Sequence, residues 1–291
     1  MGLNQAKKDV EYFAERWQNG LSGVEKTSFP HTKEEWDKRA DKWVRSFERA
    51  QGLEQYNARV TAVASYLRGQ GLLTVQERVI DVGCGPGYYV AEFAKSAGQV
   101  TGTDFSPKML EYAARHAQES GAENVAFLEC DFNNADVKAL GWEKAFDLVF
   151  TSITPAFRGL DALEKINSMS RAWCFNSGWA YRDNNIKSFL RTALLPQAGD
   201  EEKRGEGPYY LFNLLWLQGC RPKLEYYREV SEEKVFLDEE AALQYANMLL
   251  PPERVDEKTV KRARELLETI AEDGWLKERA EALFCWMLWP A

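Results

Sequence analysis

The sequence is short of the residues and segments that mark several classes of protein. Its five cysteines lie far apart and form no C-x-x-C pair, so neither a disulfide framework nor a metal site is expected. Widely spaced thiols without such a framework are typical of a reducing compartment, which predicts a cytoplasmic protein. No apolar run approaches membrane-spanning length, and the opening MGLNQAKKDVEYF contains no apolar signal core, so no membrane partner is expected.

A surplus of basic residues is also missing. The chain has 37 Lys and Arg against 45 Asp and Glu, which gives a net charge of −8. Proteins that bind the phosphates of nucleic acids need clustered Lys and Arg. The charge balance therefore predicts that duplex DNA and tRNA are not substrates, and it favours a small molecule as the partner. With 45% hydrophobic residues among 291, the chain has ample material for a folded core.

The hydrophobic pattern divides the chain into three parts. The first, 1–74, is predicted to form a helical cap, in which one helix places Trp36 and Trp43 on the same face. The second, 75–185, alternates short apolar runs with helical segments, a pattern typical of β-α-β units and a parallel sheet. The third, 186–291, is predicted to supply a substrate lid and the last two strands of the same catalytic domain.

The stretch VIDVGCGPG joins an apolar strand to a helix through three glycines. Gly83 permits a tight turn, while Gly85 and Gly87 carry no side chain where backbone and ligand approach each other. The spacing differs from the G-x-G-x-x-G of dinucleotide-binding enzymes, and no P-loop follows, so a dehydrogenase is the weaker alternative. Asp81, two residues before the first glycine, would repel a pyrophosphate but suits a ligand with an ammonium group.

Acidic residues end the next two predicted strands. Asp104 closes VTGTD, where its carboxylate can accept hydrogen bonds from ribose hydroxyls. Asp131 closes FLECD, where it can accept from an exocyclic amine while Phe132 packs near a purine. A lone carboxylate at a strand end is more often a solvated turn residue. Three successive strand ends that each suit part of an adenosine predict a site for an adenosine-containing ligand.

Together, the stretches VIDVGCGPG, GTDFSPKML, LECDF and FDLVFTS resemble the successive motifs of class I S-adenosylmethionine-dependent methyltransferases. The resemblance implies S-adenosyl-L-methionine as the cofactor. It also implies an α/β fold with a Rossmann-like, doubly wound sheet of seven strands, the last of them antiparallel. By this resemblance Asp104 takes the ribose hydroxyls and Thr151 lies near the sulfonium. The implied cofactor-binding residues are Asp81, Gly83, Cys84, Gly85, Gly87, Asp104, Phe105, Met109, Asp131, Phe132 and Thr151.

The loop after the fourth strand, TSITPAF, bears on the methyl acceptor. Family members that methylate amino groups of nucleic acids resemble one another in an Asn/Asp-Pro-Pro-aromatic motif here, and cytosine C5 enzymes need a cysteine. This loop has neither. The sequence therefore favours in-line methyl transfer to an oxygen, nitrogen or sulfur atom of a small molecule. The alternatives are a protein side chain as acceptor, a cofactor-binding sensor, or a non-catalytic partner subunit.

Several residues are candidates for the acceptor pocket, namely Trp36, Trp43, Thr154, Trp179 and Tyr181. The alternative for the two helical tryptophans is packing on the core, and Trp179 and Tyr181 are predicted to follow the end of the fifth strand. We expect Trp36 to face the cofactor and residues 186–210 to close over the acceptor as a mobile flap, because competing water must be excluded. His31 and an exposed His116 are weak candidates for a base, and no catalytic residue is predicted.

Overall fold

The computed structural model describes residues 3–19, 33–34, 36–37, 40, 50–196, 204–250 and 254–291. Seven strands in these parts of the chain form one mixed sheet, in the order β3-β2-β1-β4-β5-β7-β6. The strands are β1 (Arg78–Val82), β2 (Gln99–Asp104), β3 (Val125–Glu129), β4 (Phe146–Ser152), β5 (Ser170–Asn184), β6 (Lys223–Phe236) and β7 (Trp275–Pro290). Strand β7 runs antiparallel to both of its neighbours, whereas β1 to β5 are parallel.

Helices alternate with the strands and cover the sheet on both sides. They are α1 (Leu3–Asn19), α2 (Ala50–Gly69), α3 (Tyr88–Ala94), α4 (Pro107–Glu119), α5 (Gly159–Met169), α6 (Asn185–Leu194), α7 (Gly207–Leu217), α8 (Glu239–Leu249) and α9 (Glu257–Glu268). Side chains before four of them cap the first turn, since Ser106, Asn184, Asp238 and Asp256 each accept a backbone N–H three residues later. In the part of the chain that the structure describes, no helix is both long and apolar enough to cross a membrane.

Alternate residues of each strand point to opposite sides of the sheet and form two apolar clusters. On one side, Val79, Phe150 and Phe175 pack with Val63 of α2, and with residues of α3 and α4. We call this side the α2 face. On the other side, residues of the same strands pack with α1, α5 and α7, including the buried Trp17. Because α1 and α2 both contribute to these clusters, the N-terminal segments take part in the core. The proposed domain boundary at residue 74 remains a prediction.

A third, smaller cluster lies beyond the sheet. Helices α6, α8 and α9 pack with one another and with the outer ends of β6 and β7 through Leu190, Tyr245, Leu267 and Leu276. This cluster belongs to the 186–291 region that the sequence assigned to a lid and the last strands. Residues 197–203 of the expected flap, as well as Trp43 and His31, lie outside the described residues.

The fold prediction is confirmed in its class, its strand number and its antiparallel last strand. One detail of the sequence analysis was wrong. Strand β5 does not end before Trp179 but continues to Asn184, where helix α6 follows. The reason is the long pairing of β5 with β7, in which Trp179 lies opposite Phe284 and Tyr181 opposite Leu283.

Candidate active site

The glycine loop follows β1 at the carboxyl edge of the sheet, where ligands bind in open α/β folds. Its glycines at 83, 85 and 87 all have positive φ, at 73°, 53° and 79°. A Cβ at Gly83 would collide with the Oγ1 of Thr154, and one at Gly87 would lie 2.6 Å from the Cβ of Ala113. Gly83 therefore permits contact with the loop after β4, and Gly87 permits close packing of α4. Thr154 lies against the glycine loop, on the predicted ligand side.

Asp104, at the end of β2, is held by backbone donors. Its Oδ2 accepts from the N–H of Gly85 and its Oδ1 from the N–H of Ser106, both at 2.9 Å. Burial raises the pKa of the carboxyl group, and these N–H groups oppose that shift. A carboxylate oxygen can accept two hydrogen bonds, so each oxygen retains capacity for a ligand hydroxyl. The contact also ties the glycine loop to the end of β2.

Asp81 has the opposite environment. The residue is 2% exposed, and its Oδ2 has no hydrogen-bond partner among the described residues. Burial raises the pKa of this carboxyl group well above its usual range, and the negative charge of Asp104 adds to the shift. A buried carboxylate of this kind is stabilised by a cation or by protonation. Asp81 therefore provides an acceptor for a positively charged group beneath the glycine loop.

The remaining predicted cofactor residues follow β2 and β3. The Oδ1 of Asp131 accepts from the N–H of Asn133 at 3.2 Å, and its Oδ2 accepts from the amide of Asn134 at 2.7 Å. Phe132 and Met109 are buried, whereas Phe105 is half-buried. The structure places these side chains along the same carboxyl edge as Asp104. Their contact with a cofactor remains a prediction.

Cys84 is buried within the glycine loop, and its Sγ lies 3.6 Å from the carbonyl oxygen of Gly85. Burial and the negative charges of Asp81 and Asp104 raise the pKa of the thiol well above its usual range. A thiol with a raised pKa is a poor nucleophile at neutral pH. Cys84 therefore fits a structural position in this loop.

Thr151, near the end of β4, is fully buried and satisfied within the sheet. Its hydroxyl donates to the carbonyl of Phe175 at 3.1 Å and accepts from the amide of Asn176 at 2.9 Å. Two residues later, Ile153 has a φ of 50°, which is unusual for a β-branched residue. Such strain occurs often at functional sites. The chain thus leaves β4 through a strained residue and turns Thr154 towards Gly83.

The segment around Trp36 lies at the same edge of the sheet. Asp37 accepts a hydrogen bond from the hydroxyl of Ser106, and Lys33 pairs with Glu129 at the end of β3. Trp36 itself is half-buried. These contacts put the described part of the predicted cap beside Asp104. That Trp36 faces the cofactor remains a prediction.

The predicted flap is packed where the structure describes it. The N–H of Gly205 donates to the carbonyl of Ala180 at 3.0 Å, and Arg204 pairs with Tyr181 in an antiparallel bridge. A Cβ at Gly205 would collide with the carbonyl of Trp179. Gly205 therefore permits close strand-like packing on β5. That residues 186–210 close over the acceptor remains a prediction.

His116 is half-buried in the last turn of α4, not exposed as predicted. Its Nδ1 lies 2.6 Å from the carbonyl oxygen of Pro86, and its ring packs on Tyr88 at 4.3 Å between centroids. The carbonyl belongs to Pro86 of the glycine loop, and the sequence pattern could not show that this loop packs against His116. Among the described residues, no group of three metal-ligating side chains lies together.

Sequence analysis missed a polar group on the α2 face. Arg59, in α2, is 7% exposed and donates through Nη1 to both carboxylate oxygens of Glu229 in β6, at 3.1 and 3.0 Å. Arg59 precedes Val60 and Val63, two residues of the buried stripe of α2. An arginine at helical spacing from buried valines was a signal that could have indicated a buried charge.

Comparison with known proteins agrees with this geometry. Residues 73–194 match a protein family described as a methyltransferase domain. The chain is 35% identical over 92 residues to a 23S rRNA (uracil(1939)-C(5))-methyltransferase of Shewanella sediminis. It is 37% identical over 84 residues to an aklanonic acid methyltransferase of Streptomyces sp.. These alignments cover 31% and 28% of the chain but only 21% and 36% of the two relatives.

A solved structure extends the likeness beyond the matched domain. A Bacillus halodurans protein, provisionally described as a methyltransferase, matches with a TM-score of 0.51 at 13% identity. The match covers 78% of this chain and 97% of that protein. At this identity the likeness shows the fold alone.

Proposed function

We propose that this chain, which belongs to the class I S-adenosylmethionine-dependent methyltransferases, transfers a methyl group to an oxygen, nitrogen or sulfur atom of a small molecule. S-adenosylmethionine is the cofactor of this family. The matched domain and the sheet order support the family, and the site residues support the use of the cofactor. The methyl acceptor and the residues that bind the cofactor are part of the proposal.

The two carboxylates at the ends of β1 and β2 carry the proposal. The unpartnered Oδ2 of Asp81 fits the ammonium group of the cofactor's methionine part, because that cation would neutralise a buried charge. The two oxygens of Asp104, each already oriented by one N–H, fit the two ribose hydroxyls. Both carboxylates flank the glycine loop, so one ligand of this shape could bind them together.

When bound, the cofactor supplies a methyl group on a positively charged sulfur, which transfers by in-line displacement. The chain's own residues position the reactants and exclude water. Thr154 packs against Gly83. Tyr89, at the start of α3, is buried beside the half-buried Ser152 at the end of β4, and their hydroxyl oxygens are 3.4 Å apart. A site with few waters favours a reaction in which charge on sulfur is lost. A general base is needed only for an acceptor that is protonated and has a high pKa.

A small molecule is the acceptor class that the sequence supports best. The net charge is −8, and the loop after β4 lacks both nucleic-acid signatures. The aklanonic acid methyltransferase indicates that similar domains act on small molecules, whereas the rRNA methyltransferase shows that nucleic acid is a real alternative. Each match spans only part of the relative, so neither substrate transfers directly to this chain.

The first experiment measures binding and then transfer. Calorimetry with S-adenosylhomocysteine on the full chain should show saturable binding, and NAD should not bind. A metabolite extract incubated with the protein and isotope-labelled S-adenosylmethionine should then yield a labelled small molecule by mass spectrometry. Binding without any labelled product would favour the sensor or partner-subunit alternative. Label in a protein side chain, when a protein extract replaces the metabolite extract, would favour a protein as the methyl acceptor.

The same labelled assay tests the exclusion of nucleic acids. We expect no labelled tRNA or duplex DNA, and weak binding to either. Tight binding that weakens steeply with salt, together with label in the nucleic acid, would overturn this part of the proposal. A cytoplasmic location is likewise proposed from the dispersed thiols, and fractionation of the native host would test it.

A further inference from the structure

Unpartnered polar atoms concentrate on the α2 face of the sheet. Among the described residues, the buried side-chain atoms without a hydrogen-bond partner are Arg59 Nε, Asp81 Oδ2, Ser177 Oγ and Trp286 Nε1. Asp81 belongs to the proposed cofactor site. The other three can each donate a hydrogen bond. A buried donor without an acceptor is costly, so a native fold retains one only for a reason.

These three donors come from neighbouring elements on the α2 face. Ser177 of β5 is directly opposite Trp286 of β7, and the next pair on the same face is Trp179 with Phe284. The guanidinium of Arg59 lies over the ring of Phe284, at 4.3 Å from its centroid. Helix α2 thus places one donor over the two strands that hold the others. We call Arg59, Ser177 and Trp286 the donor cluster.

The donor cluster adjoins the proposed cofactor site. Ser177 pairs with Ser152, the last residue of β4, and its carbonyl accepts from the N–H of the strained Ile153. The hydroxyl of Ser152 donates to that of Tyr89 at 3.4 Å, and Tyr89 belongs to the helix that follows the glycine loop. A group held by the donor cluster would therefore lie beside the cofactor, on the β5–β7 side.

The charge of Arg59 is already compensated. Glu229 receives two hydrogen bonds from it, and the side chains of Arg59 and Glu229 are 8% and 16% exposed. The pair leaves Nε–H as a donor but adds no net positive charge. An anionic ligand would meet the carboxylate of Glu229 at low dielectric, which is unfavourable. The donor cluster therefore suits a neutral oxygen.

Aromatic rings surround these donors. Tyr56 lies beneath the guanidinium of Arg59 at 4.9 Å, and Tyr227 stacks on Trp286 at 5.3 Å between centroids. Tyr56, Trp179 and Tyr227 are each half-buried. Flat apolar walls with a few fixed donors are typical of a site for a planar molecule.

We propose that the donor cluster binds a carbonyl or hydroxyl oxygen of a neutral aromatic methyl acceptor, and that Glu229 discriminates against carboxylate-bearing acceptors. This proposal rests on the proposed methyltransferase function and names its substrate class. It assigns Arg59, Ser177 and Trp286 to acceptor binding and Glu229 to specificity. All four residues lie outside the set that sequence motifs indicated.

A matched pair of probes tests the charge preference. Calorimetry on the full chain saturated with S-adenosylhomocysteine would compare methyl 4-hydroxybenzoate with 4-hydroxybenzoate, which differ by one negative charge and one methyl group. Neutral 4-hydroxybenzamide, which is close in size to 4-hydroxybenzoate, controls for the methyl group. We expect the parent to bind the ester about tenfold or more tightly. In Glu229→Gln the ratio of ester affinity to carboxylate affinity should fall by about tenfold, because the carboxylate that repels an anionic ligand is gone.

The donors are tested with variants that avoid an unpaired buried charge. Ser177→Ala removes one donor at little steric change and should weaken ester binding by about threefold to tenfold. The double variant Arg59→Met with Glu229→Gln removes the ion pair together and should weaken it by at least about tenfold. Unchanged affinity for S-adenosylhomocysteine in each variant would show that the cofactor site is intact.

Four binding results would each overturn the proposal. These are equal affinity for ester and carboxylate, an unchanged ratio in Glu229→Gln, unchanged ester binding in both donor variants, and failure of both probes to bind at millimolar concentration. A crystal structure with only ordered water on the three donors under ester would also contradict it. Failure of the parent to bind S-adenosylhomocysteine would instead contradict the proposed function itself.

Discussion

At the carboxyl edge of the sheet, the proposed cofactor site and the donor cluster differ in where their polar groups come from. The cofactor side, by which we mean Asp81, Asp104 and the glycine loop, takes them from the ends of consecutive strands, whereas the donor cluster takes them from segments far apart in the sequence. Asp81 and Asp104 end or nearly end β1 and β2, within one β-α-β unit. Arg59, Ser177 and Trp286 come from α2, β5 and β7, and the carboxylate that supports Arg59 comes from β6. The first side is local in sequence and the second is assembled by the fold.

The two sides also differ in what holds their charged groups. Backbone N–H groups of Gly85 and Ser106 orient Asp104, so its geometry depends on loop conformation. A side chain, Glu229, orients Arg59. A backbone-held group needs glycines and strand ends at fixed spacing, which leave a motif in the sequence. A side-chain-held group needs only complementary residues anywhere in the chain, so it leaves no local motif.

The largest effect is expected where the two sides meet, at the contact of Gly83 with Thr154. Gly83→Ala adds a Cβ that collides with Thr154 and places it at a φ of 73°. Steric strain and left-handed backbone together should lower the free energy of unfolding by about 3–4 kcal/mol. Urea unfolding measures this directly.

Gly121→Ala is the matched control for that substitution. Gly121 has a φ of 68°, but a Cβ there would meet nothing within 4 Å. Only the backbone cost of about 1 kcal/mol is then expected. If both variants lost the same stability, the contact between the glycine loop and the loop after β4 would not be significant in solution.

A smaller effect is expected for the cofactor side alone. Asp104→Ala removes a charged acceptor for two hydroxyls and should weaken S-adenosylhomocysteine binding by about 2–3 kcal/mol. The exposed Glu265→Ala, which removes only a surface ion pair with Arg262 on α9, should leave affinity unchanged. Calorimetry compares the two. Unchanged affinity in Asp104→Ala would contradict its assignment to the ribose.

The difference between the two sides explains how far sequence reasoning reached. It predicted the sheet, the glycine loop and Asp104, because a strand end followed by glycines dictates where backbone and carboxylate lie. It misplaced Trp179 and Tyr181, because their position depends on β7, about a hundred residues later in the chain. It missed Arg59, because a buried guanidinium is stable only with a partner such as Glu229, which pairing in the folded state supplies.

The third prediction concerns pH and the unpartnered carboxyl group of Asp81. An unfolded aspartate has a pKa of about 3.9, and burial in the folded state raises it. Between the two values the folded state binds more protons, so the free energy of unfolding falls as pH rises through this window. The destabilisation is complete above the pKa that Asp81 has in the folded state, and it disappears below the pKa that Asp81 has in the unfolded state.

Asp81→Asn should remove this pH dependence. Above the folded pKa, we expect the cofactor-free variant to be more stable than the parent by about 1–2 kcal/mol, yet to bind S-adenosylhomocysteine more weakly. Urea unfolding at several pH values and calorimetry provide the two measurements. 5′-Methylthioadenosine, which has no ammonium group, should bind parent and variant alike. A parallel loss for both ligands would show that Asp81 only supports the loop.

The smallest effect is expected at the outer end of the cofactor side, where Asp37 accepts from the hydroxyl of Ser106. Ser106 also caps α4 by accepting from the N–H of Met109 at 3.2 Å, so Ser106→Ala loses two interactions, together worth about 1.5–2 kcal/mol. Asp37→Ala loses only the contact with the N-terminal segment, worth about 0.5–1 kcal/mol. The double variant loses the contact between Asp37 and Ser106 only once. Its loss of unfolding free energy should therefore be smaller than the sum of the losses in the two single variants. If the two losses were strictly additive in urea unfolding, the segment around Asp37 would not contact Ser106 in solution. The N-terminal segment would then have to be held beside Asp104 by other contacts, such as that of Lys33 with Glu129.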